Sequence, residues 1–131
     1  LQWKIPFQPG TLRLDACDEN GNVMATDQIT TSQRPYALKA SLIDSNKGFS
    51  HILVEVVDEN GVLVTLADNL ITCAANGPKI LGIENSNNAD MSRPTATARR
   101  AHHGAILAYT RGSGSLTFTS PLLLPATIPL P

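Results

Sequence analysis

The sequence predicts an all-β fold, an antiparallel β-sandwich, and three observations support this prediction. Short segments of alternating apolar and polar residues recur about every ten residues and are separated by turn-forming residues. No segment longer than about ten residues shows the 3.6-residue periodicity of an amphipathic helix. Apolar residues make up 42% of the chain and are mainly aliphatic, with 1 Trp, 2 Tyr and 3 Phe. This composition favours sheets that interlock aliphatic side chains.

The stretch from His51 to Thr72 shows the clearest pattern of strand and turn. Successive residues of 52–57 point alternately to opposite sides, as in a half-buried strand. The tetrapeptide DENG at 58–61 then supplies Asn-Gly, which tolerates the positive φ angles of a tight turn. Because Leu63 and Val64 resume the apolar pattern, the stretch predicts a β-hairpin.

The first 31 residues predict an arm or edge strand followed by another hairpin. Residues 1–10 alternate large apolar side chains, but Pro6 cannot donate to an inner ladder, so the segment is an edge strand or an arm. Residues 11–17 predict a strand. A second DENG at 18–21 predicts the turn, and residues 23–31 predict the returning strand.

A polar joint at residues 32–35 is the best candidate for a domain boundary. We therefore predict two parts, residues 1–31 and residues 32–131. The strands predicted after the joint span residues 37–42, 51–57, 70–75, 79–83, 104–110, 115–119 and 126–128.

Two polar stretches predict loops. Residues 44–50 are polar throughout much of their length, and residues 84–93 (ENSNNADMSR) are rich in side chains that satisfy backbone groups locally. Residues 95–103 suit a helical turn or an extended segment equally. No cofactor is predicted from any of these loops, since none carries a phosphate-cradling glycine pattern.

The charge balance argues against nucleic acid and membrane partners. Ten basic and eleven acidic residues leave a formal charge of -1, and Arg99-Arg100 is too small a basic cluster to change this. No apolar run approaches the roughly 20 residues of a membrane helix, so no membrane insertion is predicted. Because the chain begins at Leu1, we expect a fragment of a longer protein.

The two cysteines are predicted to lie in different surroundings. Cys17 falls on the polar face of its strand with Arg13 and Asp15, whereas Cys73 shares its parity with Ile71. We therefore expect a buried Cys73 and a semi-exposed Cys17 rather than a disulfide.

Titratable residues give no pattern of catalysis or metal binding. The carboxylates of Asp18 and Asp58 lie in turns, where a solvated side chain is the ordinary outcome, and neither DENG has the spacing of a calcium loop. His102 and His103 are adjacent, so on a strand they would face opposite sides and could not chelate one metal together. A site that combines one of them with His51 requires the fold to bring two strands together. We predict no catalytic residue and no metal site.

Three aromatic residues are candidates for a ligand site, because sugar rings stack on flat exposed faces. They are Trp3, Tyr36 and Tyr109. Trp3 and Tyr36 lie near segment ends, where they could instead pack as plugs at the sheet edges.

Several ordered motifs carry a family resemblance. The run WKIPFQPGTL at 3–12, with the DENG hairpin after it, resembles the closing strands of an accessory domain in family 2 glycoside hydrolases of the β-galactosidase type. Beyond the joint, the chain resembles the C-terminal immunoglobulin-like domain of the same enzymes. The motifs of this second resemblance are VEVVDENG at 54–61, ADNLIT at 67–72, GPKILGIEN at 77–85, HGAILA at 103–108 and GSLTF at 114–118. The sequence departs from the family pattern at His102-His103 and at Cys73.

The resemblance implies an immunoglobulin-like sandwich that is an accessory module and not an enzyme. The catalytic glutamates of these glycosidases lie in a central TIM barrel, which this chain is too short to contain. Its implied partners are the other domains of the parent glycosidase and, as a second expectation, carbohydrate. Its implied location is periplasmic or extracellular. A carbohydrate-binding module and an immunoglobulin-like repeat of a surface adhesin are the alternative hypotheses.

Overall fold

A computed structural model describes residues 2–131 of the chain; Leu1 lies outside the described residues. The chain divides into two compact units, Leu1–Thr31 and Ser32–Pro131. Within residues 2–131 we find no helix with the length and apolar character needed to span a membrane.

The first unit contains one antiparallel hairpin. Strand β1 (Thr11–Cys17) pairs with β2 (Val23–Thr30), and the register shifts by one residue at the end of β1. Residues 2–8 form no strand, so of the two possibilities predicted for this segment the structure has the arm. Leu12 and Ile29 on the apolar face of the hairpin are 51% and 71% exposed, although they line a cavity together with Ile5 and Phe7 of the arm.

The second unit contains two four-stranded sheets. One has the order β3-β4-β8-β6 and the other β10-β9-β5-β7, and every neighbouring pair of strands is antiparallel. This confirms the predicted all-β sandwich. The strands are β3 (Ala37–Asn46), β4 (Phe49–Val57), β5 (Leu70–Asn76), β6 (Lys79–Glu84), β7 (Ala98–Arg100), β8 (Ala105–Arg111), β9 (Gly114–Thr119) and β10 (Ala126–Leu130).

The core fills the space between these two sheets. Period-two alternation places one face of each strand inward. Val54 and Ile106 are therefore buried, while the residues next to each of them along its strand are more exposed. Phe118 of β9 is the one aromatic side chain of the core described. The other buried core residues are Leu38, Ile52, Val54, Val56, Val64, Ala67, Ile71, Cys73, Ile83, Ala101, Ile106, Ala108, Leu116 and Leu130.

The prediction of a loop at residues 44–50 is wrong. Strands β3 and β4 continue into this region and are joined by a two-residue turn at Lys47-Gly48, with φ angles of 50° and 78°. Positive φ at both central residues gives the tight turn that matches the twist of a hairpin. The polar composition reflects exposed strand ends rather than a loop.

The prediction of a hairpin across residues 51–72 is also wrong for the residues that follow its turn. The DENG turn forms, but the chain after it makes only a single bridge, Val57 with Leu63, and then leaves for the other sheet. The physical reason is that β4 already has β3 on one edge and β8 on the other. No free edge remains for a returning strand.

The segment at 95–103, which suited either a helical turn or an extended conformation, is extended at β7. The chain then turns at His103-Gly104, with φ angles of 52° and 78°, and His102 bridges to Ala105. As predicted, both cysteines are free and Cys73 is buried, whereas Cys17, predicted to be semi-exposed, is exposed. Burial raises the pKa of the Cys73 thiol to about 11.

Candidate functional site

The second unit has a cavity of about 430 Å³ that we call the polar pocket. Three segments form its walls: the corner before β5, the loop between β6 and β7, and strand β7 with the residues after it. Its polar lining residues are Asp68, Asn85, Asn87, Asp90, Ser92, Arg99, Arg100 and His102.

Asn85 ties the loop between β6 and β7 to the sheet. Its side-chain amide donates to Asp90 Oδ2 at 2.7 Å and to the backbone carbonyl of Arg100 at 2.9 Å. Its Oδ1 accepts the backbone N–H of Asn87 at 3.1 Å. Asn and Asp side chains thus replace the backbone ladder that a helix or strand would provide, as expected for the sequence ENSNNADMSR.

Asp90 is the acidic centre of the pocket. Its carboxylate accepts the hydroxyl and the backbone N–H of Ser92, in addition to the amide of Asn85. These hydrogen bonds, above all that of the Ser92 hydroxyl, together with the charge of Arg99, lower the pKa of Asp90 to about 2. The carboxylate is therefore ionised at neutral pH.

Arg99 is the buried cation of the polar pocket. Its side chain is only 6% exposed and lies 3.6 Å from Asp90 Oδ2 in an ion pair. One terminal nitrogen donates to the carbonyl of Ser92 at 2.8 Å. Among the described residues, Nε has no hydrogen-bond partner. A guanidinium has five N–H donors, so this one keeps unused donor capacity.

A second cavity of about 250 Å³ adjoins the first, and we call it the apolar pocket. The two cavities share Asn85 and His102. The apolar pocket extends to Leu53 and Leu107, which are cross-strand partners on β4 and β8. The shared residues make the two cavities neighbouring parts of one surface.

Tyr109 lies on a different part of this sheet. Its ring and that of His51 pack edge to face, with 4.9 Å between ring centroids, and its hydroxyl donates to Glu84 at 2.5 Å. The hydrogen bond to Glu84 is the main cause that raises the pKa of Tyr109 to about 12. The hydroxyl is therefore already engaged within the fold.

The three aromatic candidates do not form one site in the second unit. Tyr36 is 41% exposed and directly precedes β3. Tyr109 is the cross-strand partner of His51 on β4, and His51 is in turn the partner of Asp44 near the far end of β3. A separation of eight strand residues corresponds to about 26 Å. Trp3 belongs to the first unit and is 60% exposed.

His102 and His103 do not face opposite sides of a strand, so that expectation is wrong. The backbone turns at His103, and the two imidazole rings lie in contact with their centroids 4.1 Å apart. His102 is half-buried and His103 is exposed. Over the range 2–131, no group of three or more His, Cys, Asp or Glu side chains is placed to hold a metal ion.

The expectation of a solvated Asp58 is wrong as well. Asp58 is 2% exposed, and its carboxylate accepts the backbone N–H groups of Asn60, Val62 and Gln33 at 2.9, 2.9 and 2.8 Å. These bonds, that of Gln33 first, lower its pKa. Asp58 therefore organises the turn from within the fold.

The sequence did not predict the polar pocket, although His102 was considered as a candidate metal ligand. Arg99 counted only as half of a small basic cluster, and Asp90 only as part of a loop. The available signal was the density of Asn and Asp at 84–93, which predicts local hydrogen bonding but not which distant side chain the loop will enclose.

Comparison with known proteins decides the family. Residues 37–128 match the model of the glycoside hydrolase family 2 C-terminal domain 5. The chain belongs to this family. It is also 32% identical over 120 residues to the β-galactosidase BoGH2A of Bacteroides ovatus, a match that covers 87% of this chain and 14% of that enzyme.

Solved structures have the same fold. A β-glycosidase from Bacteroides vulgatus matches with a TM-score of 0.86 at 20% identity, over 96% of this chain and 18% of that one. A glycosyl hydrolase family 2 member from Bacteroides cellulosilyticus matches with a TM-score of 0.86 at 23% identity, over 98% and 19%. The chain thus spans less than a fifth of these larger proteins. Membership of the family favours the glycosidase hypothesis over the adhesin repeat.

Proposed function

We propose that this chain is a non-catalytic accessory module of a family 2 glycoside hydrolase of the β-galactosidase type. In this role it supports the catalytic barrel or shapes access to it. The observation that carries the proposal is the match of residues 37–128 to a C-terminal domain, in a chain that corresponds to 14% of the length of its β-galactosidase relative.

The chemistry of the polar pocket supports a non-catalytic role. Glycoside hydrolysis needs a pair of carboxyl groups, one of which is protonated at the working pH because its pKa is raised. Asp90 has the opposite property, since its pKa is lowered to about 2. A carboxylate that stays ionised and saturated with hydrogen bonds is a poor general acid.

Strand order supports an immunoglobulin-like topology for the second unit. The order β3-β4-β8-β6 corresponds to A-B-E-D of an immunoglobulin sandwich, and β10-β9-β5 corresponds to G-F-C. In this correspondence β7 is an additional strand beside β5. Sandwiches of this kind serve many unrelated functions, so the topology supports a scaffold without specifying an activity.

The exposed apolar face of the first unit supports a contact with other domains of the parent enzyme. Leu12, Leu14 and Ile29 are each at least half exposed, and an isolated two-stranded hairpin is marginally stable in water. We infer that residues 1–31 are the closing strands of the preceding accessory domain. Adding the parent's preceding residues should protect the amides of β1 from hydrogen exchange; unchanged exchange would contradict the inference.

An activity assay tests the accessory role. The purified chain should hydrolyse neither an aryl β-galactoside nor an aryl β-glucuronide above the rate of a buffer blank. If turnover is found, the variant Asp68→Asn/Asp90→Asn, purified in the same way, separates intrinsic activity from a contaminating enzyme. Turnover that disappears in this variant would overturn the proposal.

We further propose a periplasmic or extracellular location for the parent enzyme, on the basis of the family resemblance. Fractionation of cells that express the full-length parent tests this directly. Recovery of the enzyme with cytoplasmic markers would contradict the proposed location.

A further inference from the structure

We propose that the polar pocket binds one neutral pyranose unit of a carbohydrate. This inference goes beyond the accessory role, which concerns support and the absence of hydrolysis. The two are tested by separate measurements, since a module can bind sugar without cleaving it and can support an enzyme without binding sugar.

The first argument is the unused hydrogen-bonding capacity of Arg99. Its side chain is 6% exposed and is fixed by the ion pair with Asp90 and the bond to Ser92. Its Nε has no partner within residues 2–131. Nε itself is cut off from solvent, so the donors that Arg99 offers to a ligand in the pocket are those of the terminal nitrogen near Asp90. This nitrogen lies 3.6 Å from Asp90 Oδ2, which is too far for a hydrogen bond.

The second argument is charge. The pocket contains two arginines and two aspartates among its lining residues, Arg99, Arg100, Asp68 and Asp90, so their formal charges cancel. An anionic or cationic ligand would gain little from a neutral pocket. A neutral ligand that both donates and accepts hydrogen bonds fits this lining, and adjacent hydroxyl groups on a pyranose ring have this property.

The third argument is size and shape. A volume of about 430 Å³ lies in the range of ordinary small-molecule sites, 300–1,000 Å³. The adjoining apolar pocket shares Asn85 and His102 and adds Leu53 and Leu107. It offers an apolar surface on which the next sugar unit of an oligosaccharide could lie.

The fourth argument is preorganisation. Asn85 and Arg99 are buried, and both are hydrogen-bonded to the loop that carries Asp90. Side chains held in this way lose little conformational entropy when a ligand binds. The pocket is therefore built before any ligand enters it.

Titration of the isotopically labelled chain, followed by amide chemical shifts, tests the proposal. The probes are galactose, glucose, xylose, mannose and lactose at millimolar concentrations. At least one should produce saturable shifts at Asn87, Ser92, Arg100 and His102. The absence of shifts with all five would overturn the proposal.

Two exposed residues provide variants that should leave the fold intact. Arg100→Ala and Asp68→Asn should each weaken the binding of the responding sugar about tenfold, the effect of losing one charge-assisted hydrogen bond. Lys39→Ala, which changes an exposed charge on β3, is the matched control and should bind as the unmodified chain does. Equal affinity in all three variants would place the site elsewhere and contradict the proposal.

Two further outcomes would also overturn it. If glucuronate or acetate produces the shifts and neutral sugars do not, the pocket is an anion site. If shifts appear only around Trp3, Tyr36 or Tyr109, the carbohydrate site is aromatic and the polar pocket is not used. Either result leaves the accessory role to be tested by its own activity assay.

Discussion

Two aspartates show how the same tetrapeptide acts in different surroundings. In each DENG turn the aspartate Oδ1 accepts the N–H groups two and four residues ahead, at 2.9 and 2.8 Å for Asp18 and at 2.9 Å twice for Asp58. Asp18 is only half-buried. Asp58 is buried and also accepts the N–H of Gln33, so it fastens the start of the second unit to the turn.

We therefore expect Asp58→Ala to destabilise the second unit, since it leaves three backbone donors without their acceptor in a buried position. The midpoint of denaturant unfolding, followed through amide signals of β4, should fall clearly. Asp18→Ala removes the corresponding bonds from the exposed turn and is the matched control. In Asp18→Ala the unfolding midpoint of β4 should change by no more than the experimental error. An equal fall of the midpoint in both variants would contradict this role of Asp58.

Gly104 and Gly61 separate backbone strain from steric contact. Both have a φ of 78°. A Cβ on Gly104 would collide with the carbonyl oxygen of Val64 and approach Leu63, whereas a Cβ on Gly61 would meet nothing within 4 Å. Position 104 therefore requires glycine for two reasons and position 61 for only one.

Gly61→Ala should reduce the free energy of unfolding by about 1 kcal/mol, the strain of a left-handed residue. Gly104→Ala should reduce it by about 3 kcal/mol or more, because overpacking is added to the same strain. Urea unfolding of the two variants measures both values. Similar losses would mean that the turn at His103-Gly104 moves to accept the added carbon.

At the scale of elements, the loop between β6 and β7 should respond to acid through Asp90. The pKa of its carboxyl is lowered from 3.8 to about 2 in the folded chain, and about 3.9 is usual in an unfolded chain. A lowered folded pKa contributes stability that is present above the unfolded value and is lost as pH falls toward the folded one. The loop should therefore loosen between about pH 4 and pH 2.

The variant Asp90→Asn tests this window, since it removes the titrating group and keeps a side chain of the same shape. Its free energy of unfolding should fall less than that of the unmodified chain between pH 5 and pH 2. Asp58 and the other carboxyls are common to both proteins, so their titration cancels in the difference. Parallel pH profiles would show that the hydrogen bonds to Asp90 contribute nothing to stability.

The strands themselves were largely predictable, because alternation follows directly from burial of one face. The errors arose where pairing decides the outcome. Residues 44–50 extend β3 and β4 because Lys47-Gly48 completes a tight turn, and residues 62–64 form no strand because both edges of β4 are occupied. Sequence periodicity reports which face is buried, but it does not report which neighbour fills an edge.

At the scale of the whole molecule, the family was predictable and the candidate site was not. Ordered motifs from residue 54 to residue 118 carried the resemblance, and the family match at 37–128 agrees with it. The polar pocket joins Asp68, the loop at 85–92 and Arg99, which the sheet brings together through the pairing of β5 with β7. Such a site depends on register and loop path, and no single stretch of sequence contains it.

The division into two units leads to the last prediction. All core residues of the sandwich, from Leu38 to Leu130, lie in the second unit, whereas the hairpin of the first unit exposes both of its faces. Residues 32–131 alone should therefore give a well-dispersed amide spectrum and unfold cooperatively. Residues 1–31 alone should give the spectrum of an unfolded peptide, because two strands without a covered face are marginal in water. A collapsed spectrum for the unsubstituted residues 32–131 would mean that the first unit contributes to the core, contrary to the division described. Within this shorter protein, Phe118→Ala should lower the free energy of unfolding by about 3–5 kcal/mol.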